Sequence, residues 1–115
     1  MTWDVILTDE CRDWYQSLSE AEQDSIDPVI DLLSEDGPML RFPYSSGLRG
    51  SAYGHMHELR IQHAGRPYRI LYAFDPRRMA VLLLGGDKAG NDRWYEVNVP
   101  KADRIYAQYL QETGQ

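Results

Sequence analysis

The sequence predicts an α+β fold, in which a small antiparallel sheet carries an N-terminal helical hairpin and a C-terminal helix. Apolar residues recur with helical spacing over the first third of the chain. Three strand-like runs separated by short turns follow, two of them alternating and the third apolar, and an amphipathic segment comes last. The element order is therefore β-α-α-β-β-β-α, with the helices expected on one side of the sheet. A length of 115 residues allows a single domain over positions 1–115.

The N-terminal segment predicts a strand followed by a helix. Trp3–Leu7 alternates between apolar and other positions in the manner of a strand. Thr8 or Asp9 then supplies the N-cap of a helix whose apolar face begins at Cys11.

The second helix has a signal at each end. Ser19 and Glu22 have the spacing of a capping box, and Gly37-Pro38 is a strong stop. Pro28 lies within the apolar stripe, so we expect it to kink the helix or split it in two.

Three strands and a last helix are predicted after a connection over residues 37–54 that is rich in Gly, Pro and Ser. Glu58–Gln62 and Tyr68–Phe74 alternate, whereas Ala80–Leu84 is apolar throughout and is expected to be a central strand covered on both faces. The last helix is expected to begin near Pro100. We expect its apolar face to pack on the sheet in preference to a partner; this face comprises Ala102, Ile105, Tyr106, Tyr109 and Leu110.

The net charge of −6 is unevenly distributed. Residues 1–46 contain 11 acidic and 2 basic side chains, whereas residues 47–96 contain 5 acidic and 8 basic ones. A solvated charged face would explain this pattern without any function. Alternatively, only the middle segment meets an anionic partner, because local potential steers association more than net charge does.

Several function classes are disfavoured. The lone Cys11 cannot form an intramolecular disulfide, and as a nucleophile it is less plausible than as core filler. His55 and His57 would share one strand face but have no third ligand at metal spacing, and Gly85–Lys88 does not fit a phosphate-binding loop. No apolar run approaches the ~18 residues of a membrane span. We therefore predict no metal, no cofactor and no membrane contact, and a cytoplasmic location.

Basic and proton-carrying side chains converge in the middle segment. If the helices cover the face bearing Leu59 and Ile70, then Arg60 and Arg69 lie on the opposite, open face. Three later residues can close the concavity on that face: Lys88, Arg93 and Tyr95. Phosphodiester cleavage without a metal needs fixed cations, a proton acceptor and a proton donor. His57 could exchange protons near neutral pH. The alternative is that the arginines only solvate an exposed sheet.

The amino-acid sequence of the strands resembles a known family. Three segments carry the resemblance in order: His57–Arg60, Tyr68–Tyr72 and Leu84–Lys88. These segments are similar to the toxins of bacterial type II toxin–antitoxin modules, in the RelE/ParE superfamily, and above all to its HigB-like, phage-derived branch. The resemblance covers about residues 3–110. It implies an mRNA interferase that cleaves transcripts, usually on the ribosome, without a metal. It also implies a cognate antitoxin as partner, commonly a helix-turn-helix protein encoded next to the toxin.

The resemblance also implies roles for particular residues. Arg69 matches the arginine that contacts the scissile phosphate, and Lys88 matches the lysine at the end of the last strand. Tyr95 falls where related enzymes place a tyrosine that stacks on a base or assists proton transfer. We predict catalytic roles for Arg69, Lys88, Tyr95 and His57, and RNA-phosphate contacts for Arg49, Arg60 and Arg93.

The chain departs from the family pattern at three positions. Met56, Glu58 and Ala89 stand where RelE-like toxins often carry basic residues. This reduced basic set is consistent with weaker catalysis, with proton transfer by His55, His57 or Glu58, or with no nuclease activity. Two further hypotheses therefore stay open, a ParE-like inhibitor of DNA gyrase and a non-catalytic remnant that only binds a partner.

Overall fold

The computed structural model describes residues 2–115 and confirms the α+β class. The elements of this part of the chain are β1 (Val5–Leu7), α1 (Asp9–Gln16), α2 (Glu20–Asp36), β2 (Ser45–Gly47), β3 (His57–His63), β4 (Arg66–Phe74), β5 (Ala80–Asp87) and α3 (Trp94–Glu112). The strands form one sheet in the order β1-β5-β4-β3-β2. β1 pairs in parallel with β5, and the other pairs are antiparallel. The short strand β2 lies inside the connection that sequence analysis left without structure.

The helical hairpin has the predicted caps. The Thr8 side chain accepts a hydrogen bond from the backbone N–H of Cys11, and Ser19 forms the full capping box with Glu22. Pro28 neither splits α2 nor lies in its apolar stripe, since the helix is continuous and Pro28 is exposed. Water can serve the carbonyl group that loses its partner on that side of the helix.

The helices cover both faces of the sheet, so the expectation that they share one face is wrong. α1 and α2 pack on the face that includes Leu59 and Ile70. α3 packs on the other face, which includes Leu71 and Val81. The uninterrupted apolar run Ala80–Leu84 at the start of β5 has this physical cause, because both faces of a strand covered on both sides are buried. The intramolecular packing expected of the α3 face is confirmed.

The end of β5 determines where α3 begins. A β-bulge leaves Leu83 unpaired between two ladders, and the two glycines after it each receive a tryptophan ring. A Cβ on Gly85 would overlap the ring of Trp14 on one face, and a Cβ on Gly86 would lie 2.9 Å from Nε1 of Trp94 on the other. This contact anchors α3 from Trp94 onwards, whereas sequence analysis placed its start near Pro100.

No helix within residues 2–115 combines the length and the apolar character needed to cross a membrane.

Candidate active site

A buried carboxylate lies at the centre of the candidate site. Glu58, on β3, projects to the same side of the sheet as α3 and is almost inaccessible to solvent. Its Oε2 accepts hydrogen bonds from the Ser46 hydroxyl at 2.6 Å and from Nη1 of Arg60 at 3.0 Å. Its Oε1 accepts the Tyr95 hydroxyl at 2.6 Å and lies 3.5 Å from Nε of Arg69. Four different elements therefore meet at one side chain.

Arg69 is the innermost cation of this cluster. It is directly opposite Arg60 in the β3–β4 ladder and opposite Gly86 in the β4–β5 ladder. Its Nη1 donates to the carbonyl oxygen of Tyr68 at 2.9 Å, and its Nε lies 3.3 Å from the Tyr95 hydroxyl. Like charges directly opposite in a sheet repel each other. The carboxylate of Glu58, which contacts both guanidinium groups, offsets this repulsion.

Tyr95 and Lys88 complete the inner cluster. Tyr95 lies in the first turn of α3, where the packing of Trp94 against Gly86 fixes its position. Burial, together with the hydrogen bond to Glu58, raises the pKa of the Tyr95 hydroxyl, so the group keeps its proton at neutral pH. Nζ of Lys88 lies 5.5 Å from the centre of the Tyr95 ring. The backbone N–H of Lys88 donates to the carbonyl oxygen of Pro67.

The cluster opens to solvent on the side of Arg60. A pocket of about 280 Å³ is lined by Pro43, Arg60, Gln62, Pro67 and Arg69. The guanidinium of Arg60 also lies 5.0 Å from the centre of the exposed Phe42 ring. The site therefore has a dry carboxylate–arginine–tyrosine interior and a basic, solvent-accessible mouth.

The predicted face of Arg60 and Arg69 is confirmed, but the openness of that face is not. Arg69 was expected to project into solvent, yet its side chain is only 6% exposed because α3 covers this part of the sheet. The side chain of Arg60 keeps 28% exposure. Removal of Arg69 therefore disturbs a buried network and not a solvated surface.

His57 lies outside the cluster. It stacks on Tyr72 at 5.6 Å, on the face covered by α1 and α2, because successive strand residues point to opposite sides. Burial lowers its pKa, and its Nδ1 is buried without a hydrogen-bond partner among the described residues. His55 instead packs near Tyr106 on the α3 face, so the expectation that the two histidines share one face is wrong.

Two predicted phosphate ligands, Arg93 and Arg49, are exposed and do not take part in the hydrogen-bonded cluster. Arg93 precedes α3, is 74% exposed and pairs with Glu96 at 2.8 Å. Arg49 is exposed in the connection between β2 and β3. Contacts of these residues with RNA phosphates stay predictions.

The central place of Glu58 goes beyond what the sequence predicts, in which Glu58 is a departure from the family pattern and one of three candidate proton carriers. The alternation of β3 already placed Glu58 beside Arg60 on one face. The contributions of Ser46 and Phe42 carried no such signal, because they depend on a strand and a loop within the unassigned connection.

Residues 13–107 match the family described as phage-derived protein Gp49-like. The chain belongs to this phage-derived toxin family. It is 46% identical over 107 residues to HigB3 of Mycobacterium tuberculosis, which is named as a toxin, and the match covers 92% of each chain. It is 38% identical over 99 residues to HigB2 of the same organism, also named as a toxin, and spans 84% of this chain and about half (49%) of that relative.

The fold of this Gp49-like chain is that of solved RelE structures. A mutant of the E. coli toxin RelE in the free state aligns with a TM-score of 0.60, 11% identity and coverage of 97% and 98% of the two chains. RelE of the RelE–RelB complex from Pyrococcus horikoshii aligns with a TM-score of 0.57 and 21% identity, covering 78% of this chain and 99% of the other. The RelBE2 toxin–antitoxin complex of M. tuberculosis aligns with a TM-score of 0.56 and 18% identity, covering 76% of this chain and 99% of the other.

Proposed function

We propose that this Gp49-like chain is a metal-independent endoribonuclease that cleaves mRNA, inhibits translation and is restrained by a cognate antitoxin. The observation that carries the proposal is the hydrogen-bonded cluster of Glu58, Arg69 and Tyr95, with Arg60 and Lys88 at its edge. It contains a proton acceptor, a proton donor and fixed cations, which are the parts that phosphodiester transfer requires.

The groups can perform the reaction in one cycle. Glu58 takes the proton of the ribose 2′-hydroxyl, whose oxygen attacks the adjacent phosphorus. Arg69 and Arg60 stabilise the negative charge that develops on the phosphoryl oxygens. Tyr95 donates its proton to the departing 5′-oxygen, which leaves a 2′,3′-cyclic phosphate and a free 5′-hydroxyl. The hydroxyl of Tyr95 lies 2.6 Å from the Glu58 carboxylate, so the proton can return from Glu58 to Tyr95 directly.

The charge distribution supports an anionic substrate at this face. The acidic helices α1 and α2 cover the opposite face of the sheet, and Arg60, Arg69 and Lys88 lie together on the α3 side. Local potential guides a phosphate strand to a basic cleft even when the net charge is negative. We propose mRNA on the ribosome as the substrate. We propose an adjacently encoded antitoxin, of helix-turn-helix type, as the partner. The toxin names of the relatives and the toxin–antitoxin complexes among similar folds support an antitoxin as the partner.

Primer extension on cellular mRNA after brief induction tests the activity. We expect discrete new 5′ ends, growth arrest, and rescue when the adjacent gene is co-expressed. Arg69→Ala should reduce cleavage by ~10²–10³-fold. Arg104→Ala is the matched control, because Arg104 is exposed on α3 eleven residues beyond Arg93 and the cluster does not include it.

The alternative functions give different results. Persistent gyrase–DNA breaks without new mRNA ends would support a ParE-like gyrase inhibitor. Vigorous growth at verified levels of soluble protein would support a remnant that only binds a partner. Equal cleavage by Arg69→Ala and the wild type would contradict the assignment of Arg69 to the reacting phosphate.

A further inference from the structure

An exposed aromatic ring is held in a fixed place beside the proposed active site. Phe42 is 71% exposed and carries the largest exposed fraction among the large apolar side chains of the described residues. The loop that carries it is tied to the sheet, because the backbone N–H of Arg60 donates to the carbonyl oxygen of Tyr44 at 2.8 Å. Within the loop, the N–H groups of Tyr44 and Ser45 both donate to the carbonyl oxygen of Arg41. The ring is thus presented to solvent by a hydrogen-bonded loop.

One side of the ring already has a partner. The Cζ atom of Arg60 lies 5.0 Å from the ring centre, within the range of a cation–π contact. The same guanidinium donates to Glu58, so it links Phe42 to the cluster that would hold the reacting phosphate. An arginine and an aromatic ring stacked in this way form a platform of the kind on which nucleobases stack in single-stranded RNA complexes.

The pocket next to the ring has polar edges suited to a base. Pro43 follows Phe42 directly, and Pro43 lines the pocket of about 280 Å³ together with Arg60, Gln62, Pro67 and Arg69. The amide of a glutamine can donate to and accept from the edges of nucleobases, and the guanidinium of an arginine can donate to them. Phe42 and this pocket lie on the basic side of the sheet, whereas the acidic helices lie on the other. Charge complementarity therefore favours an anionic ligand, and the exposed ring of Phe42 against the Arg60 guanidinium favours a nucleotide over an acidic peptide, because a base can stack on it.

We propose that Phe42 and the adjoining pocket form a nucleobase subsite that binds the base next to the cleaved phosphodiester. This inference rests on the proposed endoribonuclease function and adds to it a binding element for single-stranded RNA that adjoins the catalytic cluster. Stacking on an aromatic ring contributes about 5- to 150-fold in binding per base. The subsite therefore contributes mainly to the capture and positioning of the strand, and not to proton transfer.

The test compares Phe42→Leu, Phe42→Trp and the wild type in the cleavage of short model mRNAs on programmed ribosomes. We expect Phe42→Leu to lower kcat/KM by about 5- to 150-fold, and Phe42→Trp to restore most of it. Met39→Leu is the matched control, since Met39 is an equally exposed apolar residue (68%) in the same connection. All variants should keep the wild-type melting temperature, because the altered side chains are exposed.

A second substrate series locates the stacked base. Model mRNAs carry an abasic nucleotide on either side of the cleaved bond, one position at a time. At the stacked position the wild type and Phe42→Leu should cleave equally fast, because the base that the ring binds is gone. At other positions their difference should persist.

The outcomes separate this inference from the function on which it rests. Loss of cleavage in Arg69→Ala with wild-type kcat/KM in Phe42→Leu would overturn the subsite and leave the nuclease intact. Weakened antitoxin binding by Phe42→Leu with unchanged cleavage would also overturn it, because the ring would then serve a protein partner. No cleavage of any RNA by the wild type would overturn both proposals.

Discussion

Replacement of Glu58 by glutamine probes the structure at its most connected polar group. Glu58→Gln keeps the shape of the side chain but removes its charge and turns one of its two oxygen acceptors into a donor. The native carboxylate is 5% exposed and contacts the guanidinium groups of Arg60 and Arg69. The amide can accept from one guanidinium at most, so the other must lose its partner.

The size of the effect follows from these contacts. A hydrogen bond to a charged group contributes about 1.5–3 kcal/mol, and two such groups are affected. Arg60 keeps 28% exposure and can recover water, whereas Arg69 at 6% cannot. We therefore expect Glu58→Gln to lower the free energy of unfolding by about 2–4 kcal/mol, near the lower end of the range for a broken buried ion pair. For a chain of this length the melting temperature should fall by roughly 10 °C.

Thermal melting, a double-mutant cycle and a cleavage assay test this prediction. Thermal melting of Glu58→Gln is compared with that of Glu96→Gln, whose carboxylate pairs with Arg93 at 65% exposure and should contribute little. A double-mutant cycle with Arg69→Met should show a coupling of more than about 1 kcal/mol between positions 58 and 69. Cleavage at a temperature where Glu58→Gln is folded should also fall, because the proton acceptor is lost. An unchanged melting temperature with no coupling would refute the network, and full cleavage would refute Glu58 as the acceptor.

Three further predictions concern residues outside this network. Burial lowers the pKa of His57 below 6.5, so the unfolded chain binds more protons than the folded one. The free energy of unfolding should therefore decrease as pH falls through 6.5. His57→Phe should flatten this part of a profile of melting temperature against pH. Burial raises the pKa of Cys11 to about 12, so a thiol reagent should label it in denaturant and not in the native protein. Gly86→Ala should displace the ring of Trp94, lower the free energy of unfolding by about 1–3 kcal/mol and reduce cleavage. Gly54→Ala, with no atom near its Cβ position, should change neither the melting temperature nor the cleavage rate.

The parts of the fold that sequence analysis predicted are those set by local chemistry. The capping box of Ser19 and Glu22 uses only neighbouring residues, and it is present as expected. The alternation of β3 and β4 likewise placed Arg60 and Arg69 on one face, because strand geometry leaves no other choice.

The errors arose where distant contacts override local signals. Pro100 is a reasonable first-turn residue, but the packing of Trp94 against Gly86 extends α3 by six residues before it. The same contact brings Tyr95 into the first turn of the helix and over Arg69, which a coil assignment could not show. β2 has only three residues and no apolar alternation, so it is recognisable only by its pairing with β3.

The buried carboxylate also explains how an acidic protein can keep a cationic site. Arg60 and Arg69 face each other across the ladder, and without Glu58 the buried Arg69 would repel Arg60 with no carboxylate between them. One carboxylate for two guanidinium groups leaves the cluster with a net positive charge, while both oxygens of the buried carboxylate have partners. A phosphate that reaches the mouth of the pocket therefore meets a surplus positive charge that is already held in place. Because the cations need no rearrangement, the cost of their organisation falls on folding and not on the proposed reaction.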